Sequence, residues 1–142
     1  MIDGKCLCEK VTYQISGVLG PIFNCHCLKC RRWHGAAFRT RASIEKSQLK
    51  WLSGKDNIST YNSSQNVTKH FCSNCGSPLV TSYKDNPNIY GIALGPLEGK
   101  IEKDIEGHIF VDSKANWYEI TDNLPCYEKW PGTESKVRET DA

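Results

Sequence analysis

The chain has 142 residues, of which 39% are apolar and 24% charged, and its formal net charge is +2. This length suits one domain with a substantial core, and the nearly balanced charge argues against a protein that binds nucleic acid through a basic surface. No stretch approaches the roughly 18 apolar residues of a membrane span, and residues 1–6 lack the apolar run of a secretory signal. We therefore expect a soluble, cytoplasmic protein without nucleic-acid or membrane partners.

Most predicted elements are short strands. Residues 11–15 alternate apolar and polar side chains, as a half-buried strand does. Residues 38–42 alternate in the same way, which places Arg39 and Arg41 on one face of a strand. Further strands are predicted at Leu79 to Tyr83, Ile89 to Leu94, His108 to Val111 and Trp117 to Ile120.

Two regions are predicted to be helical: Leu28 to His34, ended by Gly35, and the stretch around Ser43 to Leu49. The Ser- and Asn-rich segment from Ser53 to Thr68 indicates a loop. Polar residues dominate from Pro131 onward. The sequence thus predicts a single, mainly β domain over residues 1–130 and a flexible C-terminal tail over residues 131–142.

Eight cysteines stand out in this composition. In a reducing compartment, closely spaced cysteines are more often metal ligands or catalytic thiols than disulfides. Glycosylation sequons at Asn57, Asn62 and Asn66 leave a secreted, disulfide-bonded protein as the alternative.

The spacing of seven cysteines favours two metal sites. Cys72-Ser-Asn-Cys75 is a zinc knuckle, and the following Gly76 permits the backbone conformation that closes such a turn. Together with Cys6 and Cys8 the knuckle makes a closed site of four thiolates. The triplet Cys25, Cys27 and Cys30 is then left with three ligands and an open position, as in catalytic zinc sites. Cys126, His26, His34 and His70 are alternative fourth ligands, and any of them would make both sites structural.

A series of motifs follows in order along the chain. The motifs are Gly4-Lys-Cys-Leu-Cys, Val11-Thr-Tyr, Cys25-His-Cys-Leu-Lys-Cys-Arg-Arg-Trp-His-Gly-Ala-Ala-Phe, Phe71-Cys-Ser-Asn-Cys-Gly, His108-Ile, Trp117-Tyr and Leu124-Pro. In this combination they resemble the glutathione-dependent formaldehyde-activating enzyme family, from about Gly4 to Tyr127. The resemblance extends to a centromere-associated eukaryotic protein.

The resemblance implies a zinc-stabilised β fold of short strands, shared with a small zinc-bearing accessory protein of Rab GTPases. It implies two zinc ions, one structural and one labile. The structural ion matches Cys6, Cys8, Cys72 and Cys75, and the labile, catalytic ion matches Cys25, Cys27 and Cys30. The implied reaction joins glutathione and formaldehyde to S-hydroxymethylglutathione and is classed as a carbon–sulfur lyase reaction.

Glutathione carries two carboxylates, so its site should offer cations. Arg31 and Arg32 directly follow the triplet and are predicted to contact glutathione, with His34 as the nearby candidate for proton transfer. Two alternatives stay open beside the enzyme: a glutathione carrier, and a non-catalytic binding module in which both zinc ions are structural.

The chain departs from the family pattern at two positions. Glu9 stands where the family commonly has glycine, which places the conformation of the turn after Cys8 in question. Asn116 stands where proline often precedes the tryptophan. Neither departure removes a predicted ligand.

Overall fold

Short strands dominate the computed structural model of the chain, which describes residues 1–132 and the backbone of residues 136–138. The predicted single, mainly β domain is confirmed. The strands are β1 (Ile2–Lys5), β2 (Thr12–Ile15), β3 (Ile22–Cys25), β4 (Arg39–Glu45), β5 (Leu49–Ser53), β6 (Ile58–Asn62), β7 (Val67–Cys72), β8 (Pro78–Tyr83), β9 (Ile89–Ala93), β10 (Leu97–Glu98), β11 (Ile105–Ile109), β12 (Cys126–Tyr127) and β13 (Lys136–Arg138). The helix α1 spans Leu28–His34, and 3-10 helices span Lys46–Gln48, Lys55–Asn57 and Val111–Ser113.

Two compact units can be distinguished, each built from two separate stretches of chain. The first unit comprises Met1–Gly20 and Ala42–Glu102. It contains an antiparallel sheet in the order β10-β1-β2-β5. It also contains the antiparallel series β9-β8-β7-β6. The loop after β1, and the end of β7 with the turn that follows it, contain four of the clustered cysteines and belong to this unit.

The second unit comprises Pro21–Arg41 and Lys103–Ala142, of which residues 133–135 and 139–142 lie outside the described residues. Here β11 pairs in parallel with β3, with Ile109 opposite Cys25 and His108 opposite Asn24. Since paired residues of neighbouring strands point to the same face, Cys25 and Ile109 share one face and Asn24 and His108 the other. Only two residues separate Cys25 from the start of α1 at Leu28, and this helix brings the rest of the triplet back toward Cys25.

Burial follows the alternation that the sequence shows. In β2, Tyr13 and Ile15 are fully buried, and the Tyr13 ring packs edge-on against Trp51 with ring centroids 5.3 Å apart. Gly4 pairs with Tyr13 across the sheet, and a Cβ at Gly4 would lie 2.3 Å from the Tyr13 ring. The glycine therefore lets the tyrosine ring lie directly over its neighbouring strand.

The helix predicted at Leu28 to His34 is confirmed, and Gly35 ends it with a left-handed φ of 60°. The helix predicted around Ser43 to Leu49 is wrong. Residues up to Glu45 continue β4, and a single 3-10 turn follows, in which the Gln48 side chain accepts a hydrogen bond from the Glu45 N–H at 2.8 Å. Leu49 is again extended and pairs with Ile15, so the two strands leave only three residues for a helix.

Three further predictions need correction. The segment Ser53 to Thr68 is largely ordered as a 3-10 turn, β6 and the start of β7. Its Ser and Asn residues suit β6 because most side chains of this strand are exposed and its pairing uses backbone groups. The strand predicted at His108 to Val111 ends at Ile109, since Phe110 adopts a φ of 57°. Trp117 to Ile120 is not a strand: Trp117, 67% exposed, lies in a turn, and the residues after it are irregular.

The predicted tail over residues 131–142 falls mostly outside the described side chains. Residues 133–135 and 139–142 lie outside the described residues, while the backbone of β13 pairs with β12. No helix in the described part of the chain is long and apolar enough to cross a membrane.

Gly54 offers a test of how the first unit is held together. It follows β5 with a φ of +74°, and a Cβ there would lie 2.1 Å from the Lys10 carbonyl oxygen, in the loop that contains Cys8. Gly54→Ala should lower the free energy of unfolding by about 3 kcal/mol or more, because it adds a backbone clash to the left-handed strain. Gly99→Ala is the matched control, since Gly99 has a φ of +95° but nothing within 4 Å. Urea unfolding of both variants measures the difference, and equal losses would contradict the steric argument.

Candidate functional site

Four cysteine thiols converge in the first unit. The sulfur atoms of Cys6, Cys8, Cys72 and Cys75 all lie within 4.8 Å of one another. The Sγ atoms of Cys6 and Cys8 are 3.5 Å apart, and those of Cys8 and Cys72 are 3.8 Å apart. Zinc–thiolate bonds of about 2.3 Å in a tetrahedron place sulfurs about 3.8 Å apart. The four thiols therefore have the spacing that a closed zinc site requires.

Local backbone geometry holds these thiols in place. Gly76 adopts the left-handed φ of 80° expected of the knuckle turn, and its N–H donates to the Cys72 carbonyl at 2.7 Å. The Val11 N–H donates to the Cys6 Sγ at 3.3 Å, while burial, the larger effect, raises the pKa of the Cys6 thiol to about 11. The Leu7 N–H donates to the Ser77 Oγ at 2.8 Å and so ties the first cysteine loop to the second.

Glu9 occupies a glycine-like conformation in the first of these loops. Its φ is 63°, and its N–H donates to the Cys6 carbonyl at 3.0 Å. A side chain in this left-handed region is strained, whereas glycine is not. The departure from the family pattern at Glu9 thus leaves the turn intact but adds strain to it.

A second group of three thiols lies at the junction of β3 and α1. The sulfurs of Cys25, Cys27 and Cys30 lie within 4.8 Å of one another. Cys27 is the N-cap residue of α1, and its Sγ accepts a hydrogen bond from the Cys30 N–H at 3.3 Å. Cys25 and Cys30 are each 5% exposed and pack with Ile109. The strand end and the first helical turn are therefore enough to bring the triplet together.

The electrostatics of the triplet favour a cation among its sulfurs. Hydrogen bonds with Cys27 and Cys30, together with burial, raise the pKa of the Cys25 thiol far above its usual range. Three crowded thiols cannot all ionise unless a positive charge compensates them. A bound metal ion supplies such a charge, and a purely thiolate donor set suits zinc. The residues present therefore fit a zinc ion.

None of the alternative fourth ligands joins the triplet among the residues that the structure describes. The metal-sized group at this position contains only Cys25, Cys27 and Cys30. The Cys126 thiol donates to the Leu124 carbonyl at 3.7 Å, and the His70 Nε2 lies 2.9 Å from the Ser82 Oγ. His34 ends α1, with its ring edge-on to Trp33.

His26 belongs to a hydrogen-bonded chain that sequence reasoning missed. Its Nε2 lies 2.8 Å from the His108 Nδ1, and the His108 Nε2 lies 2.9 Å from an Asp122 carboxylate oxygen. This arrangement allows the carboxylate to accept the His108 Nε2–H and the His108 Nδ1 to accept the His26 Nε2–H. Burial, followed by the neighbouring His108, lowers the pKa of His26 to about 4 and keeps it neutral. His26 thus faces away from the thiols, although it lies between two of them in sequence.

The hydrogen bonds from His26 to His108 and on to Asp122 fix the end of β3, where the triplet begins. His26 is fully buried, and its backbone N–H donates to the Ile109 carbonyl at 2.9 Å. The peptide between Cys25 and Cys27 is thereby held from both its side chain and its backbone. The sequence signal for this arrangement is the His108-Ile motif alone. It does not identify His26 as the partner, because the two histidines are 82 residues apart in sequence.

The predicted glutathione contacts differ in their surroundings. Arg31 is half-buried, and its Nη1 donates to the Ser113 carbonyl at 3.0 Å, whereas Arg32 is exposed. Arg39 and Arg41 are both buried in β4, as expected of residues on one strand face. The side chains of this unit therefore offer cations both on α1 and on β4.

Replacing Glu9 tests the strain in the first cysteine loop. Glu9→Gly should raise the free energy of unfolding by about 0.5–1 kcal/mol, because glycine adopts the left-handed conformation without steric cost. The exposed ion pair from Lys5 to Glu9, at 3.3 Å, contributes little that would be lost. Glu9→Ala is the control, since it removes the same side chain but keeps the strain. Denaturant unfolding compares the variants, and a loss of stability in Glu9→Gly would refute the interpretation.

Known proteins resemble this chain in both sequence and fold. An uncharacterised lyase of Schizosaccharomyces pombe is 26% identical over 125 residues, which cover 88% of this chain and 89% of the yeast protein. A Fusarium vanettenii protein with the provisional name of glutathione-dependent formaldehyde-activating enzyme is 29% identical over 99 residues, 70% of this chain and 53% of the fungal protein. The match therefore spans about half of the Fusarium protein.

A crystal structure of a Rhodobacter sphaeroides protein has a similar fold, with a TM-score of 0.60 at 25% identity. The alignment covers 72% of this chain and 96% of the bacterial one. The family model described as glutathione-dependent formaldehyde-activating enzyme matches residues 1–113, well over half of the chain. The ordered motifs, the two thiol groups and these matches agree, and the chain belongs to the glutathione-dependent formaldehyde-activating enzyme family.

Proposed function

We propose that the protein is a zinc-dependent carbon–sulfur lyase that forms S-hydroxymethylglutathione from glutathione and formaldehyde. The observation that supports this most is the contrast between a complete group of four thiols and a group of three with no fourth Cys or His ligand among the described residues. One zinc ion in each group would make the first structural and the second catalytic. The reaction itself is inferred from membership of the glutathione-dependent formaldehyde-activating enzyme family.

The reaction forms one carbon–sulfur bond. The glutathione sulfur attacks the formaldehyde carbon, and the proton that leaves the thiol ends on the former carbonyl oxygen. A zinc ion held by Cys25, Cys27 and Cys30 would supply the positive charge that lowers the pKa of the glutathione thiol.

The surrounding residues bind and orient the substrate in this proposal. Arg31 and Arg32 place positive charge on the helix that starts at the triplet, and His34 offers an imidazole at the end of the same helix. Cys27 holds the first turn of α1 through the Cys30 N–H, which keeps the three sulfurs converged before substrate arrives.

The variant Cys27→Ser tests the role of the thiol triplet separately from that of the group of four thiols. Serine is a good N-cap residue, so its hydroxyl can replace the thiol as acceptor for the Cys30 N–H and α1 should persist. We expect the variant to hold one zinc per chain instead of two and to keep its fold by circular dichroism. We also expect it to lose the acceleration that the wild type gives to exchange between free and glutathione-bound formaldehyde, measured by NMR.

Cys72→Ser is the comparison variant, because it removes a ligand from the group of four thiols. Structural zinc contributes on the order of 10 kcal/mol to folding, so this variant should lose ordered structure. No acceleration by wild-type protein at micromolar concentration would overturn the proposed enzyme and favour a glutathione carrier. Two zinc ions that resist chelation equally would instead favour a non-catalytic module.

A further inference from the structure

Two arginines on one face of β4 are buried. Arg39 is 2% exposed and Arg41 is 7% exposed. Arginine is rarely buried to this extent unless an anion compensates it, because removing a guanidinium from water costs several kcal/mol. The two side chains therefore indicate a function for positive charge on this face.

Each of the two guanidinium groups lies over a tryptophan. The Arg39 Cζ is 5.1 Å from the centroid of the Trp33 ring, and the Arg41 Cζ is 5.5 Å from that of Trp130. Such a cation–π contact recovers about 1–2 kcal/mol, which for Arg41 is less than the cost of burial. Among the described residues, Arg41 makes no hydrogen bond or ion pair, so its N–H donors lack an acceptor there.

The two arginines lie on the same face as the thiol triplet. The Thr40 Oγ1 donates to the Asn24 Oδ1 at 2.7 Å, which places Thr40 on the Asn24 face. Since side chains alternate along a strand, Arg39 and Arg41 share the opposite face with Cys25.

Direct contacts connect this face to the thiols. The Trp130 ring packs edge-on against Phe110 at 5.7 Å, and Phe110 packs against the cluster that contains Cys25 and Cys30. Arg39 lies over Trp33 of α1, the helix that also contains Cys30. Thiol ligands and buried cations therefore adjoin one another within the second unit.

We propose that Arg39 and Arg41 form a carboxylate-binding wall beside the triplet, so that the ligand class is thiols that carry carboxylates. This assignment rests on the proposed function, for which glutathione is the thiol. In this proposal the arginines of β4 make a stronger contact with the carboxylate than the arginines of α1 do. Arg31 already donates to the Ser113 carbonyl, and an ion pair to exposed Arg32 would be weak in water.

Calorimetric titration of the zinc-loaded protein tests the wall. The two probes are glutathione and its diethyl ester, which keeps the thiol but has no carboxylate. We expect the wild type to bind the ester about tenfold or more weakly, as for the loss of a charge-assisted, two-pronged hydrogen bond. Arg41→Gln should weaken glutathione binding by about the same factor and leave ester binding unchanged.

Two further variants serve as controls for misfolding and for the loss of a charge elsewhere in the protein. Arg41→Lys keeps the charge and should retain part of the preference for glutathione over the ester, which a merely misfolded variant would not. Lys50→Gln removes an exposed charge from the first unit and should change neither affinity. Equal wild-type affinity for the two probes, or an equal loss for both in Arg41→Gln, would overturn the wall.

Binding and exchange measurements on the same protein also distinguish this inference from the proposed reaction. Acceleration of formaldehyde exchange without discrimination between glutathione and its ester leaves the reaction standing and rejects the wall. Arg41-dependent discrimination without any acceleration supports the wall and rejects the reaction. Failure of the wild type to bind either probe rejects both.

Discussion

The close approach of cysteine thiols to one another is the constraint on which the rest of the structure depends. Hydrogen bonds with Cys27 and Cys30, together with burial, raise the pKa of the Cys25 thiol far above its usual range, and three thiolates at such short distances would also repel one another. A divalent cation reverses this penalty and turns the repulsion into ligation. The loops, the knuckle turn and the N-terminus of α1 are arranged so that sulfurs meet at metal-binding distances despite that repulsion.

The two thiol groups meet this constraint by different routes. The triplet is local, since a strand end and one helical turn bring its three sulfurs together, and Ile109 and the His26–His108–Asp122 chain support it from opposite faces. The group of four thiols is non-local, with Cys8 and Cys72 separated by 64 residues. A non-local site ties the chain together and suits a permanent ion, whereas a local one can exchange its ligand without loosening the fold.

Sequence reasoning succeeded where structure depends on neighbouring residues. The knuckle turn at Gly76 and the helix from Leu28 to His34 follow from residues a few positions apart, and the structure shows both. It failed where partners are distant. The pairing of His26 with His108 depends on the parallel register of β11 with β3, and β6 depends on its pairing with β7, which lets a Ser- and Asn-rich segment become a strand. Exposed polar composition alone cannot distinguish an edge strand from a loop.

The wide separation of Cys8 from Cys72 also matters during synthesis. At typical translation rates, 64 residues take roughly 3–13 s to add. Once Cys30 has been added, Cys6, Cys8 and the triplet are all present, while the β7–β8 hairpin that supplies the native partner thiols of Cys6 and Cys8 does not yet exist. Five thiols are one more than a tetrahedral zinc ion takes. The nascent chain therefore offers zinc a complete but non-native set of ligands, and only the emergence of the hairpin makes the native division into four and three available.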